Sequence, residues 1–130
     1  MNLSIPIKDI ILKIHYWPAG TQVANKTVNG TNFSETLWGS EDSDFFKPYS
    51  GDDIIYGGGG NDEINAYYND EKGRLFFPID GTLTVYAGAG NDLIGGKIGN
   101  DVIYGQEGDD YVWSREGNDL IEGGPGDDHL

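Results

Sequence analysis

Aspartate recurs at Asp44, Asp53, Asp62, Asp92, Asp101, Asp110, Asp119 and Asp128, at nine-residue intervals broken by one gap. Glycine stands two residues before all of these except Asp44, at Gly51, Gly60, Gly90, Gly99, Gly108, Gly117 and Gly126. An apolar residue follows each Asp by two. Carboxylates beside glycine-rich carbonyls are hard oxygen donors, and the chemistry they suit is binding of a hard divalent cation. Ca²⁺ takes about 6–8 oxygens in flexible geometry, whereas Mg²⁺ keeps its water and demands a stricter shell. Zinc and copper would call for His or Cys, which these segments lack apart from His129.

The full pattern is Gly-Gly-x-Gly-x-Asp-x-U-x, with U aliphatic. Gly57–Asn65 is its cleanest copy, supplying Gly58 and Gly60 at the second and fourth positions. Ala87–Gly95, with Gly88 and Gly90, begins a run continued by Gly96–Tyr104, Gly105–Trp113, Ser114–Glu122 and Gly123–Leu130. Backwards, Pro48–Tyr56 keeps Gly51, Asp53 and Ile55 in frame. Gly39–Lys47 keeps Asp44 and Phe46, and Gly30–Trp38 has only Glu35 and Leu37. Before Gly30 the frame is lost.

Glycine permits positive φ and tight turns, so six residues of each unit turn and the last three form a short strand. Two units make one coil with strands on opposite walls. Stacked coils then place units eighteen residues apart above one another. This pairs Asp92 with Asp110, Asp110 with Asp128, Asp101 with Asp119 and Asp44 with Asp62, and, with Glu in the Asp place, Glu35 with Asp53. Like charges so placed repel unless a cation lies between them. The inward apolar residues should be Leu37, Phe46, Ile55, Ile64, Phe76, Val85, Ile94, Ile103, Val112, Ile121 and Leu130. So slender a core predicts poor folding without a cation.

The frame breaks between Asn65 and Ala87, where Pro78–Tyr86 keeps Gly81 and Val85 but has Leu83 at the Asp position. Ala66–Phe77 is then an extra twelve residues. One reading makes it a further coil, ending in the strand Leu75–Phe77, and is preferred because Phe76 would point inward. On that reading Asp62 stacks on Leu83. The other makes it a bulge, so that Asp62 stacks on Asp92.

Composition narrows the function classes. The chain has 130 residues, 21 of them Gly, and a formal charge of −14. Nucleic acid is excluded as a partner by the shortage of clustered Lys and Arg. There are no cysteines, hence no thiolate site or disulfide framework. No stretch is long and apolar enough to span a membrane, and the N-terminus lacks the pattern of a signal peptide. His15 and His129 lie at opposite ends, and no catalytic constellation stands out. The sequence therefore reads as no enzyme in itself.

The repeats resemble the RTX (repeats-in-toxin) family of calcium-binding β-rolls over Pro48–Asn65 and Ala87–Leu130, and more faintly from Gly30. The resemblance implies an all-β, right-handed parallel β-roll, with several Ca²⁺ ions held by the sixth-position Asp and by carbonyls of the Gly-rich turns. The candidate ligands on that basis are Asp44, Asp53, Gly58, Gly60, Asp62, Gly88, Gly90, Asp92, Gly99, Asp101, Gly108, Asp110, Gly117, Asp119, Gly126 and Asp128. It further implies secretion by a one-step (type I) route and folding outside the cell. Family members carry a secretion signal after the repeats, so a chain stopping within a repeat suggests a fragment of a longer protein. The family shares no single activity, and fold alone cannot choose one.

The expected domain organisation is residues 1–29 as an N-terminal cap, or the tail of an upstream domain, and 30–130 as the roll, irregular at 66–86. Ser4–Trp17 carries the apolar residues that would cover the first coil. Outward ninth-position aromatics, including Trp38, Tyr56, Phe77, Tyr86, Tyr104 and Trp113, have two uses: cross-strand packing, or binding a polysaccharide or neighbouring domain. On the bulge reading Trp38, Tyr56, Tyr86 and Tyr104 form a single row.

Overall fold

The computed structural model describes residues 26–66 and 80–130. All regular structure among them is short strand. One wall is a parallel sheet ordered β1 (Lys26–Asn29), β3 (Asp44–Lys47), β5 (Glu63–Asn65), β7 (Leu93–Gly95), β9 (Tyr111–Trp113). The facing wall is ordered β2 (Thr36–Trp38), β4 (Asp53–Tyr56), β6 (Leu83–Tyr86), β8 (Val102–Tyr104), β10 (Leu120–Glu122). Consecutive strands alternate between walls, as a β-roll of two units per coil requires.

The middle residue of each three-residue strand faces inward because side chains alternate across a strand. Leu37, Phe46, Ile55, Ile64, Val85, Ile94, Ile103 and Val112 are buried as the repeat frame predicts, and Ile121 packs against them. Leu130 departs from expectation, being 64% exposed. No coil lies above it among the described residues. Val28 adds an inward residue, and Lys26 pairs with Asp44, so the nine-residue frame reaches back beyond Gly30. It was invisible there because Lys stands in the Asp place.

The gap is resolved against the preferred reading. β5 pairs directly with β7 (Ile64↔Ile94) and β4 with β6 (Ile55↔Val85), leaving no place between them for a strand ending at Phe77. No strand is therefore inserted between these pairs among the described residues. Residues Phe76 and Phe77, like the Ser4–Trp17 segment and His15, lie outside the described residues. Leu83 takes the Asp place, fully buried. Its turn is kept in register by backbone, with Asp53 N donating to Thr82 O at 3.0 Å where other coils use a carboxylate.

Candidate metal ladder

The sixth-position residues stack along two edges of the roll. The first edge carries Lys26, Asp44, Asp62, Asp92, Asp110 and Asp128; the second carries Glu35, Asp53, Leu83, Asp101 and Asp119. The Asp pairs expected from the eighteen-residue rule are all in register, and Asp62 meets Asp92 across the thirty-residue coil.

Within each rung one carboxylate oxygen has a fixed task. The backbone N–H of a sixth-position residue donates to Oδ1 of the Asp one coil later. Asp44 donates to Asp62 at 2.8 Å, Asp62 to Asp92 at 2.8 Å, Asp92 to Asp110 at 2.9 Å and Asp110 to Asp128 at 2.9 Å. The second edge repeats this from Glu35 to Asp53, Leu83 to Asp101 and Asp101 to Asp119. Fifth positions form a second ladder in the opposite sense. Asn91 N donates back to Asn61 Oδ1, Asp109 N to Asn91 Oδ1 and Asp127 N to Asp109 Oδ1. The prevalence of Asn and Asp at this nominally free position was the available sequence signal, and the sequence reading missed it.

The other oxygen distinguishes two kinds of turn. In most turns the second and fourth residues have positive φ, as at Gly58 and Gly60, Gly88 and Gly90, Gln106 and Gly108, Arg115 and Gly117, and Gly124 and Gly126. There the buried Oδ2 atoms of Asp62, Asp92 and Asp110 have no hydrogen-bond partner. Where positive φ is absent, the second-position N–H turns inward and donates to the carboxylate of its own turn. Ser40 N bonds Asp44 Oδ2 at 2.6 Å, and Lys97 N bonds Asp101 Oδ2 at 2.7 Å. Thirty-one and thirty-five, Thr31 N and Glu35, do the same. Gly99, expected among the turn-forming ligands, accordingly lacks the positive φ of its counterparts.

Oxygens converge beside the first-position glycines. A Cβ added to Gly57 would meet both Asp62 Oδ2 and the Ala87 carbonyl, and one added to Gly105 would meet Asp110 Oδ2 and the Gly123 carbonyl. These are carboxylate and carbonyl donors from successive coils, gathered around a point that only the missing side chain leaves open. Buried oxygens without a donor are costly unless a cation satisfies them. Burial drives the Asp62 carboxyl up to about 8 and Asp92 to about 7, with repulsion from neighbouring carboxylates adding to both. Burial likewise raises Asp110 and takes Asp101 to about 6. No three carboxylates or imidazoles group together among the described residues, so the fit to a hard cation on the first edge rests on mixed carboxylate and carbonyl oxygens.

A family model described as the RTX calcium-binding nonapeptide repeat matches residues 29–64, 84–103 and 95–130, more than half of the chain. The chain belongs to the RTX calcium-binding repeat family. No curated protein and no solved structure matches it. As an RTX repeat it is a calcium-binding module, and its β-solenoid is a structural fold rather than a catalytic one.

Two lysines, also missed by the sequence reading, meet this RTX ladder where Asp is lost, one at the start of the first edge and one beside Leu83 within the second. Lys26 Nζ lies 3.6 Å from Asp44 Oδ1. Lys97 Nζ donates to Asp53 Oδ2 at 2.6 Å and to Gly51 O at 2.7 Å. Burial raises the Asp53 carboxyl, against the opposing hydrogen bond and charge of Lys97. The outward aromatics form the single row of the bulge reading. Trp38 stacks on Tyr56 (centroids 4.3 Å), Tyr56 on Tyr86 (5.1 Å) and Tyr86 on Tyr104 (5.2 Å). Their faces are turned to one another. Trp113 lies on the opposite wall with the Arg115 guanidinium over it at 4.5 Å. His129 packs beside Tyr111, 5.9 Å between ring centroids.

Proposed function

We propose that this RTX module binds Ca²⁺ chiefly along its first edge and folds as it does so, outside the cell after export. The observation that carries the reading is the row of buried, unpartnered Oδ2 atoms on Asp62, Asp92 and Asp110. Bound calcium would supply the positive charge those carboxylates need. Asp62, Asp92, Asp110 and Asp128 would hold it, with first-position carbonyls such as those of Ala87 and Gly123 completing the shell, while Asp44 is closed by Ser40 N–H and faced by Lys26. The Oδ1 ladder aligns the coils, and the fourth-position glycines allow them to stack closely enough to share an ion. Because the donors come from different coils, the sites form only as the coils stack. Binding free energy is then folding free energy.

The cap or upstream-domain tail expected over residues 1–29 would give way to the roll by its last four residues, which form β1. The extracellular setting rests on family habit together with the calcium supply such sites require. A polysaccharide partner gains little support from the aromatic row, since rings stacked on one another keep their faces from sugars. Equilibrium calcium binding by the intact chain and by Asp92→Asn tests the reading. The substitution should weaken calcium binding by at least about tenfold, since it removes a charged ligand shared by adjoining coils. Equal affinity in the two proteins would reject it.

A further inference from the structure

Lys97 occupies the second position of its repeat, where Gly58, Gly88 and Gly124 stand in other turns. Its side chain is fully buried, as is that of Asp53. Buried lysine is rare because an ammonium loses its hydration, and it persists only when paired and hydrogen-bonded. The partners here are a sixth-position carboxylate and a fourth-position glycine carbonyl, Asp53 Oδ2 and Gly51 O. They are the donor types that gather around the cation positions of the first edge.

The local sequence explains why an ammonium suits this place. Leu83 stands between Asp53 and Asp101 on the second edge and brings no carboxylate. The Glu35 carboxylate of the preceding coil is already taken by Thr31 N and Oγ1, so a divalent ion beside Asp53 would find one free carboxylate, which a single ammonium matches. The same lysine acts through its backbone too. Its N–H holds Asp101 Oδ2, the oxygen that stays unpartnered on Asp62, Asp92 and Asp110.

We infer that Lys97 is a resident cation of the roll: its ammonium takes the metal position at Asp53 and its N–H closes Asp101, so this stretch of the second edge binds no calcium. Along this stretch the second edge is held by the chain's own charge, whereas Asp62, Asp92 and Asp110 on the first depend on metal. The inference rests on the calcium reading of the first edge. It goes beyond that reading in assigning where calcium is refused.

Lys97→Gly tests it by giving this turn the second-position glycine seen at Gly58, Gly88 and Gly124 and freeing the carboxylates of Asp53 and Asp101, the latter beside Asp119 and the Ser114 carbonyl. The variant should bind at least one more calcium ion per chain than the wild type in equilibrium dialysis, and should need more calcium before it folds. An unchanged ion count overturns the inference. So does a variant that fails to fold at saturating calcium, because the freed site should then be filled. A second measurement uses the wild-type chain. With calcium bound, Lys97 should resist acetic anhydride by at least about tenfold relative to Lys47, and equal labelling overturns the buried ion pair. A wild-type chain that bound no calcium at all would count against the first-edge reading instead.

Discussion

From Asp53 onward the sixth-position aspartates divide their oxygens between two tasks: Oδ1 accepts the backbone N–H of the coil before, and Oδ2 is left for a cation or an inward N–H. The glycines divide their tasks as well. Gly108 has φ +128°, and a Cβ there would collide with the Gly90 carbonyl of the coil below. Gly108→Ala should therefore lower stability at saturating calcium by about 1–3 kcal/mol or more, from left-handed strain and the clash together. Gln106 shows the opposite case, a non-glycine residue held at φ +75°. Gln106→Gly should raise stability by about 0.5–1 kcal/mol by relieving that strain, after the entropy cost of glycine. Urea denaturation of both variants in calcium reads the two shifts, and matching signs would contradict this division of roles.

At the scale of the edge, the buried carboxylates set a pH dependence. In the metal-free fold Asp62 is pushed from an ordinary 3.8 to about 8 and Asp92 to about 7, chiefly by burial. The folded chain then holds more protons than the unfolded chain between 3.8 and those values. Stability of the metal-free fold must fall as pH rises through that window and recover as pH is lowered. Circular dichroism in chelator should show more β structure at about pH 5 than at about pH 8, while apparent calcium affinity changes in the opposite direction because protons and calcium compete for the same oxygens. A metal-free fold that gains stability on alkalinisation would contradict it. The walls were more legible than the edges. Period-two strand residues such as Val102-Ile103-Tyr104 declare which side chain faces inward, so the core could be read directly. The gap could not, because Phe76 offered a plausible inward residue and only the Ile64↔Ile94 pairing decides between coil and bulge. Lys97 escaped notice because its partner Asp53 lies 44 residues away, and no local pattern links them.

For the whole molecule, the core is a single column of apolar side chains between two narrow sheets, in a chain of formal charge −14. Repeat solenoids gain stability from contacts between adjacent coils rather than from one large core. Here those contacts include rows of carboxylates that repel when ionised. The fold class was legible from the nine-residue period together with the resemblance it carries to calcium-binding β-rolls, and the eighteen-residue spacing then named the Asp pairs. The unequal character of the edges was not, because it depends on which second-position residues turn their N–H inward. Magnesium should substitute poorly, since it prefers a stricter shell and retains water. The most direct test of cation-dependent folding is far-UV circular dichroism of the intact chain, titrated with calcium from chelator to saturation beside a magnesium control. The expected result is a cooperative transition from coil to β structure with calcium and little change with magnesium. A chain already fully β in chelator at neutral pH, and unmoved by calcium, would contradict the account.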